Sequence, residues 1–378
     1  MERLHIAFFG PANSGKSTLV NALCGQEVSL VSPLPGTTTD PVRKNIELPM
    51  GIGPAVLIDT AGIDDESALG SQRKRLTEAV IDATDIAVVL EGDERSEALE
   101  NLLGILQKAE IPLVRYRKGD SVSALLEKIA ALRPSEEKRF LTGNLVRPGD
   151  TVLLVMPQDG EAPKGRLILP QVQVIRELLD RGCIPHCCTP ATLPAALRIL
   201  SAPPALTITD SQAFAEVDRI LPKNCPLTSF SILLAAEKGD VNVFLEGAGA
   251  IDRLQKGSRV LIAEACTHVP DTEDIGRVKI PALLRKRIQR AGQPGQDGKS
   301  QDGQGGGNGD LVVDVAAGND FPEDLSPYDL IIHCGACVAG RRLVQSRIRK
   351  ALLAGVPITN YGIALAHLQG ILPRVVLP

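Results

Sequence analysis

Two rhythms of apolar positions run along the chain. Short continuous apolar runs recur at "LHIAFF" (4–9), "VLID" (56–59), "TVLLV" (151–155), "RVLIA" (259–263), "LVVDV" (311–315) and "LIIH" (330–333). Runs of four to six such residues predict strands buried on both faces of a sheet. Between them lie helix-period stretches. Leu19, Val20, Ala22 and Leu23 share one helical face. "LPQVQVIRELLDRG" (169–182) reads as an amphipathic helix closed by Gly182, and 191–200, 212–220, "LTSFSILLAAEKG" (227–239) and "RRLVQSRIRKALLAG" (341–355) read as further helices. Strands and helices in alternation predict an α/β protein built on parallel sheets. Three such stretches are expected as domains: residues 1–140, 143–220 and 225–378, with "PKNCP" (222–226) near the second boundary.

Composition narrows the function classes. The formal net charge is −4 and Trp is absent, so neither a nucleic-acid-binding basic surplus nor an aromatic stacking platform is expected. No apolar stretch reaches the roughly 20 residues that span a bilayer. "MERLHIAFFG" leads straight into a Gly-rich loop, so no cleavable leader is expected and the chain is placed in the cytoplasm. The eight Cys are then reduced thiols or metal ligands rather than a disulfide framework.

The loop after the first apolar run carries the most specific motif. Gly10 to Ser17 read G-x-x-x-x-G-K-S, preceded by a strand and followed by a helix. This is the context of a P-loop, in which backbone N–H groups and a helix N-terminus surround phosphates. Gly10, Asn13, Ser14, Gly15, Lys16, Ser17 and Thr18 are the expected phosphate-binding residues. Lys16 reaches the outer phosphates and the Ser17 hydroxyl binds Mg²⁺. "PGTTTDP" (35–41) supplies Thr38 as the expected partner of Mg²⁺ and the γ-phosphate. "VLIDTAG" (56–62) ends in D-x-x-G, with Asp59 behind the Mg²⁺ and the Gly62 N–H on the γ-phosphate. Together these resemble the GTPases of the Era and tRNA-modification type, and the Asn at position 13 extends the resemblance to K⁺-assisted members. The guanine motif departs from N-K-x-D. It reads Arg117-Lys118-Gly119-Asp120, leaving Lys118 and Asp120 to contact the base. Ser123-Ala124 follows only three residues later, with no room for the usual intervening strand and helix.

Thiols and imidazoles cluster elsewhere. Cys266-x-His268 and His333-Cys334-x-x-Cys337 each close a predicted strand. If those strands are neighbours, three thiolates and one or two imidazoles converge at one sheet edge. Such a set closes a tetrahedral zinc site, or holds a [4Fe–4S] cluster with an exchangeable fourth position; buried strand-end cysteines are the remaining alternative. The helix at 341–355 follows directly and offers a positive N-terminus. Cys183, His186, Cys187 and Cys188 form a second group, but adjacent strand residues face opposite ways and converge poorly on one ion. His5 and His367 stand outside either cluster and are read as structural.

"APKGRLILPQVQ" (162–173), "LTITDSQAF", "LTSFSILLA", "VLIAEACTH", "DIGRVKIP", "LIIHCGAC" and "VPITNYGIA" resemble the [FeFe]-hydrogenase maturation GTPases, the HydF family, over essentially the whole chain. The resemblance implies a GTPase domain, a homodimerising middle domain and a [4Fe–4S]-binding C-terminal domain. It implies Cys266, Cys334 and Cys337 as cluster ligands, with His268 and His333 as candidates for the exchangeable position. It implies a carrier that receives a transient diiron cargo with the help of radical-SAM maturases and delivers it to apo-[FeFe]-hydrogenase, GTP hydrolysis regulating partner exchange. Residues 291–309 exceed the family's usual spacing. With eight Gly in nineteen residues they are expected as a flexible surface insertion.

Overall fold

The computed structural model describes residues 3–25, 41–63, 70–91, 96–133, 140–158, 167–265, 274–291, 311–318 and 320–378. They fall into two compact units, Met1–Glu137 and Lys138–Pro378.

In the first unit the elements are β1 (Leu4–Phe9), α1 (Lys16–Cys24), β2 (Val42–Leu48), β3 (Gly53–Asp59), α2 (Gly70–Ala83), β4 (Ile86–Glu91), α3 (Glu97–Lys108), β5 (Leu113–Arg117) and α4 (Val122–Leu132). The sheet order is β2-β3-β1-β4-β5. Every pairing is parallel except β2 with β3. The continuous apolar run of β1 has a direct cause. Ile6 and Phe8 enter one core with Leu57 and Val88, while Ala7 and Phe9 enter a second core with Ile58 and Val89. Successive residues on a strand face opposite ways, so a central strand covered on both sides must be apolar throughout. Ser121 caps α4 directly after β5, and Ser123-Ala124 lie in its first turn. Neither a strand nor another helix lies between Asp120 and Ser123 of α4.

The second unit holds two sheets. The first joins β6 (Thr151–Val155), β7 (Ile184–Cys188), β8 (Leu206–Thr209) and β9 (Leu227–Ser229) in the order β7-β6-β8-β9. Its helices are α5 (Leu169–Asp180), α6 (Leu193–Ile199), α7 (Phe214–Ile220) and α8 (Phe230–Lys238). After α9 (Val241–Ala248), the second sheet joins β10 (Arg259–Ala263), β11 (Val312–Ala316), β12 (Leu330–His333) and β13 (Ile358–Asn360) in the order β11-β10-β12-β13, with α10 (Ile280–Ala291), α11 (Arg341–Leu353) and α12 (Tyr361–Leu368) packed around it. All pairings in both sheets are parallel.

One expectation fails at Leu227–Ser229, read above as the start of a helix. These residues are fully buried and pair with β8. The Ser229 hydroxyl then accepts from the Ile232 N–H at 3.3 Å, so the helix begins only at Phe230. An apolar run that holds a strand and a helix back to back has no period of its own to divide it. The two sheets share one core. Leu153, Val155 and Phe214 belong to the same buried cluster as Ile262, Ile332 and Ile358, together with Ile232 of α8, Phe244 of α9 and Leu365 of α12. Among the described residues no helix is long and apolar enough to cross a membrane.

Candidate nucleotide and metal sites

The loop from Gly10 to Lys16 turns tightly between β1 and α1. Asn13 and Gly15 both take positive φ, 58° and 94°, and the Ser14 N–H donates to Pro11 O at 3.3 Å. Lys16 is 6% exposed. Its Nζ donates to the carbonyls of Gly10 at 3.0 Å and Pro11 at 2.6 Å, so the ammonium is folded over the loop it must serve. The Ser17 hydroxyl donates to Asp59 Oδ2 at 2.7 Å. That contact follows from the β1–β3 register, which places Asp59 opposite Phe8. The D-x-x-G segment lies on the loop. The Ile63 N–H donates to Gly10 O at 3.3 Å, and a Cβ on Gly62 would fall 2.8 Å from Ala12 N and Cα. Only glycine allows that approach. Thr18 is exposed in the first turn of α1. Thr38 lies outside the described residues.

The guanine segment is closed on itself. Asp120 Oδ2 accepts from the Arg117 N–H at 2.9 Å, and the Tyr116 hydroxyl donates to Asp120 O at 2.9 Å. Lys118 and Asp120 are exposed. The Arg117 side chain turns to Glu91 at the end of β4, with Nε 3.0 Å from Oε2, and Arg115 Nη1 binds the other oxygen at 2.9 Å. The Arg117 hydrogen bond, with help from Arg115, holds the Glu91 carboxyl below its ordinary range. The Arg117 side chain is thus turned toward Glu91.

In the second unit β10 and β12 are adjacent, with Ala263 opposite His333. The Cys334 N–H donates to Ala263 O at 2.9 Å, extending the ladder by one residue. The Cys334 Sγ then accepts from the Ala265 N–H at 3.1 Å and from the Ala336 N–H at 3.4 Å. Two backbone amides thus converge on one sulfur. Ala336 sits at φ 50°, which bends the chain around that sulfur. Lys238, 5% exposed at the end of α8, donates to the carbonyls of Ala336 and Ala339, both at 2.8 Å. It thereby clamps the loop that carries Cys337. Cys337 is half-buried and packs against the cluster of Phe230, Leu233 and Leu234. Cys266 and His268 lie outside the described residues, and among those described no three metal-capable side chains stand together.

His333 is placed differently from the exchangeable ligand expected of it. It is 1% exposed. Its Nε2 lies 3.1 Å from Arg347 Nη1, which can only donate, and its Nδ1 lies 2.7 Å from Cys334 O, which can only accept. Both ring nitrogens are therefore in use. Burial, then the Arg347 charge, lower its pKa to about 3, so the ring is neutral. The strand alternates its faces, and His333 points toward α11. Arg347 also donates to Glu264 O at 3.1 Å and Gly318 O at 2.5 Å, and lies over the Phe321 ring.

Sequence reasoning missed Lys238, Arg347, Glu264 and Tyr361. Glu264 is 1% exposed and is bound by Arg277 Nη2 at 2.8 Å. Burial, with Cys334, Glu264 and Asp274 nearby, raises the Tyr361 phenol well above its ordinary range. A charge within an amphipathic helix reads as solvated, and no local pattern marks these as inward. The thiols of the second group differ in their surroundings. Cys183 is buried with its Sγ on Arg147 O, Cys187 is exposed, and burial with the neighbouring Cys187 pushes Cys188 up to about 11. His367 and His5 each stand by a carboxylate, Asp252 and Asp85.

These features define a class: a P-loop GTPase fold joined to two parallel α/β sheets, one of which ends in a cysteine loop. Known families agree. Residues 5–118 match the family described as 50S ribosome-binding GTPase. Residues 141–239 match the hydrogen maturase F dimerization domain, and 242–295 with 304–378 match the hydrogen maturase F tetramerization domain. The chain belongs to the hydrogen maturase F family. Among curated proteins it is 44% identical over 89 residues to the tRNA modification GTPase MnmE of Methylobacterium sp. (strain 4-46), covering 21% of this chain and 20% of that one. It is 39% identical over 116 residues to GTPase Der of Hyphomonas neptunium, covering 29% and 22%. The chain thus spans about a fifth of the length of these relatives. Among solved structures, Aquifex aeolicus Era bound to GDP·AlF₄⁻ aligns over 84% of this chain and 95% of that one, at 16% identity and a TM-score of 0.28.

Lys238→Met keeps the packed stem and removes two charge-assisted hydrogen bonds. It is expected to lower the stability of the second unit by about 3 kcal/mol, read as an earlier midpoint in urea unfolding with an unchanged slope.

Proposed function

We propose that the protein is a GTP-binding and GTP-hydrolysing iron–sulfur scaffold that accepts a diiron precursor from radical-SAM maturases and transfers it to apo-[FeFe]-hydrogenase in the cytoplasm. The observation that carries this reading is the grip of the Ala265 N–H on the Cys334 sulfur. Ala265 directly precedes the first cysteine of the motif in sequence, so this contact joins the approach to one cysteine with the sulfur of another, 68 positions further on. Cys337 follows on a clamped turn. The donor set of three thiolates suits iron and sulfide, and a [4Fe–4S] cluster there would supply an iron open to exchange. With both nitrogens of His333 engaged, the fourth position falls to His268 or to a ligand from outside the chain.

In the nucleotide domain the residues divide the work. Backbone amides from Asn13 to Thr18 cradle the phosphates, and Lys16 leaves the Gly10 and Pro11 carbonyls to neutralise charge on the γ-phosphate as water displaces GDP. Mg²⁺, and K⁺ beside Asn13, would add positive charge at the same oxygens. Ser17 and Thr38 would hold the Mg²⁺ with Asp59 behind it, and the Gly62 N–H would meet the γ-phosphate. Homodimerisation is assigned to the middle sheet. On α5, Leu169, Val172 and Leu179 form one stripe, 43%, 46% and 56% exposed, and Ile184 on the edge strand β7 is 52% exposed. An apolar face of this kind supports a partner surface.

A second reading, a scaffold whose nucleotide domain is degenerate, is favoured by the Arg117–Glu91 pair. Single-turnover hydrolysis of GTP against ATP separates the two. Arg117→Asn is expected to raise GTP affinity roughly tenfold and leave ATP unchanged; equal gains for both nucleotides would assign the site to phosphate binding alone. For the metal, anaerobic reconstitution should load four irons with acid-labile sulfide, and Cys266→Ala, Cys334→Ala and Cys337→Ala should each abolish the EPR signal of the reduced cluster. Zinc without sulfide would replace this reading by a zinc-bearing regulatory GTPase. Leu179→Glu combined with Ile184→Glu is expected to at least halve the assembled mass in light scattering.

A further inference from the structure

Tyr361 opens α12 directly after β13, where Asn360 stands opposite His333. The Asn360 side chain reaches Cys334 O at 3.5 Å, so the tyrosine follows a residue already in touch with the cysteine loop. Its hydroxyl oxygen is buried and makes no hydrogen bond. The chain has made room for it at some cost. A Cβ on Gly276 would fall 1.9 Å from the hydroxyl, so the first turn after Asp274 must carry glycine for the phenol to fit.

The groups that bear on the hydroxyl are the Cys334 sulfur, Glu264, Asp274 and Arg277. Three of these are acceptors, yet none takes its proton. Glu264 is bound by Arg277, Asp274 accepts from the Arg277 N–H at 2.7 Å, and the Cys334 sulfur accepts from two amides. A phenylalanine would fill the same space without burying an unpaired donor, and buried polar groups in folded proteins are nearly always paired. The unpaired hydroxyl therefore points to an acceptor that arrives with the bound group.

We propose that Tyr361 is a positioning residue that donates its O–H to an anionic sulfur, or to an anionic ligand on the exchangeable iron, once the iron–sulfur group is held at Cys334. The inference rests on the cluster reading above. A hydrogen bond to such a group stabilises its reduced, more negative state, so the donor sets the potential rather than holding the iron.

The test is Tyr361→Phe in the full chain, reconstituted anaerobically with iron and sulfide. The variant should load as much iron as the wild type, with a midpoint potential shifted to more negative values and altered EPR g-values. Without iron it should melt at the same temperature as the wild type or higher, because an unpaired buried hydroxyl has been removed. Full loading with unchanged potential and g-values overturns the proposal. A variant that folds but binds no iron overturns it too, by making the tyrosine a ligand. Equal destabilisation with and without iron would reduce Tyr361 to a packing residue and likewise overturn it. If the wild type itself takes up no iron and sulfide, it is the cluster reading that fails.

Discussion

The parallel pairing of β10 with β12 is the constraint on which the cysteine loop depends. Parallel strands bring their C-terminal ends to the same edge, and side chains leaving that edge converge however far apart they lie in sequence. Here the ladder runs on past His333 through the Cys334 N–H, and the Ala265 N–H, two residues past the end of β10, donates to the Cys334 sulfur instead of to a carbonyl. A thiol becomes a continuation of the sheet. The rigidity of the sheet is thus lent to one sulfur, which is what a pre-organised ligand needs.

The charges around this edge are inward and committed. Lys238 holds the loop from one side, and Arg347 ties β12, the end of β10 and Gly318 together from the other. Both are buried cations whose bonds go largely to carbonyl oxygens, so they fix backbone rather than neutralise a carboxylate. Lys238 lies at the end of the region matching the dimerization domain, whereas the loop it clamps lies in the region matching the tetramerization domain. The shared core of the two sheets has the same consequence. It joins α8 and the cysteine loop within one packed body.

The nucleotide domain follows the same rule of loops at the C-terminal ends of strands. β1 delivers the phosphate loop, β3 delivers Asp59 to Ser17, and β5 delivers the guanine segment. Where the first two are tightly built, the third has been redirected. Arg117 and Arg115 share Glu91 across neighbouring strand ends, which stabilises the edge of the sheet at the place where base recognition is usually made.

The strands, most helices and the phosphate loop were legible in the sequence because each has a local cause: apolar runs between two cores, helical periodicity, glycines where φ is positive. The cysteine motif stood out in the sequence as candidate chemistry, through residue types and spacing. What the sequence could not decide was partnership. It left open whether β10 and β12 were neighbours, and only the sheet order answers that. It ranked His333 with the ligands because imidazole beside cysteine looks like a metal site, but the face of the strand turned the ring toward Arg347. It passed over Lys238, Arg347 and Tyr361, whose neighbours lie up to about a hundred residues away. Local pattern is a property of consecutive residues; who meets whom at a sheet edge is set by strand order and burial, which exist only once the chain has folded.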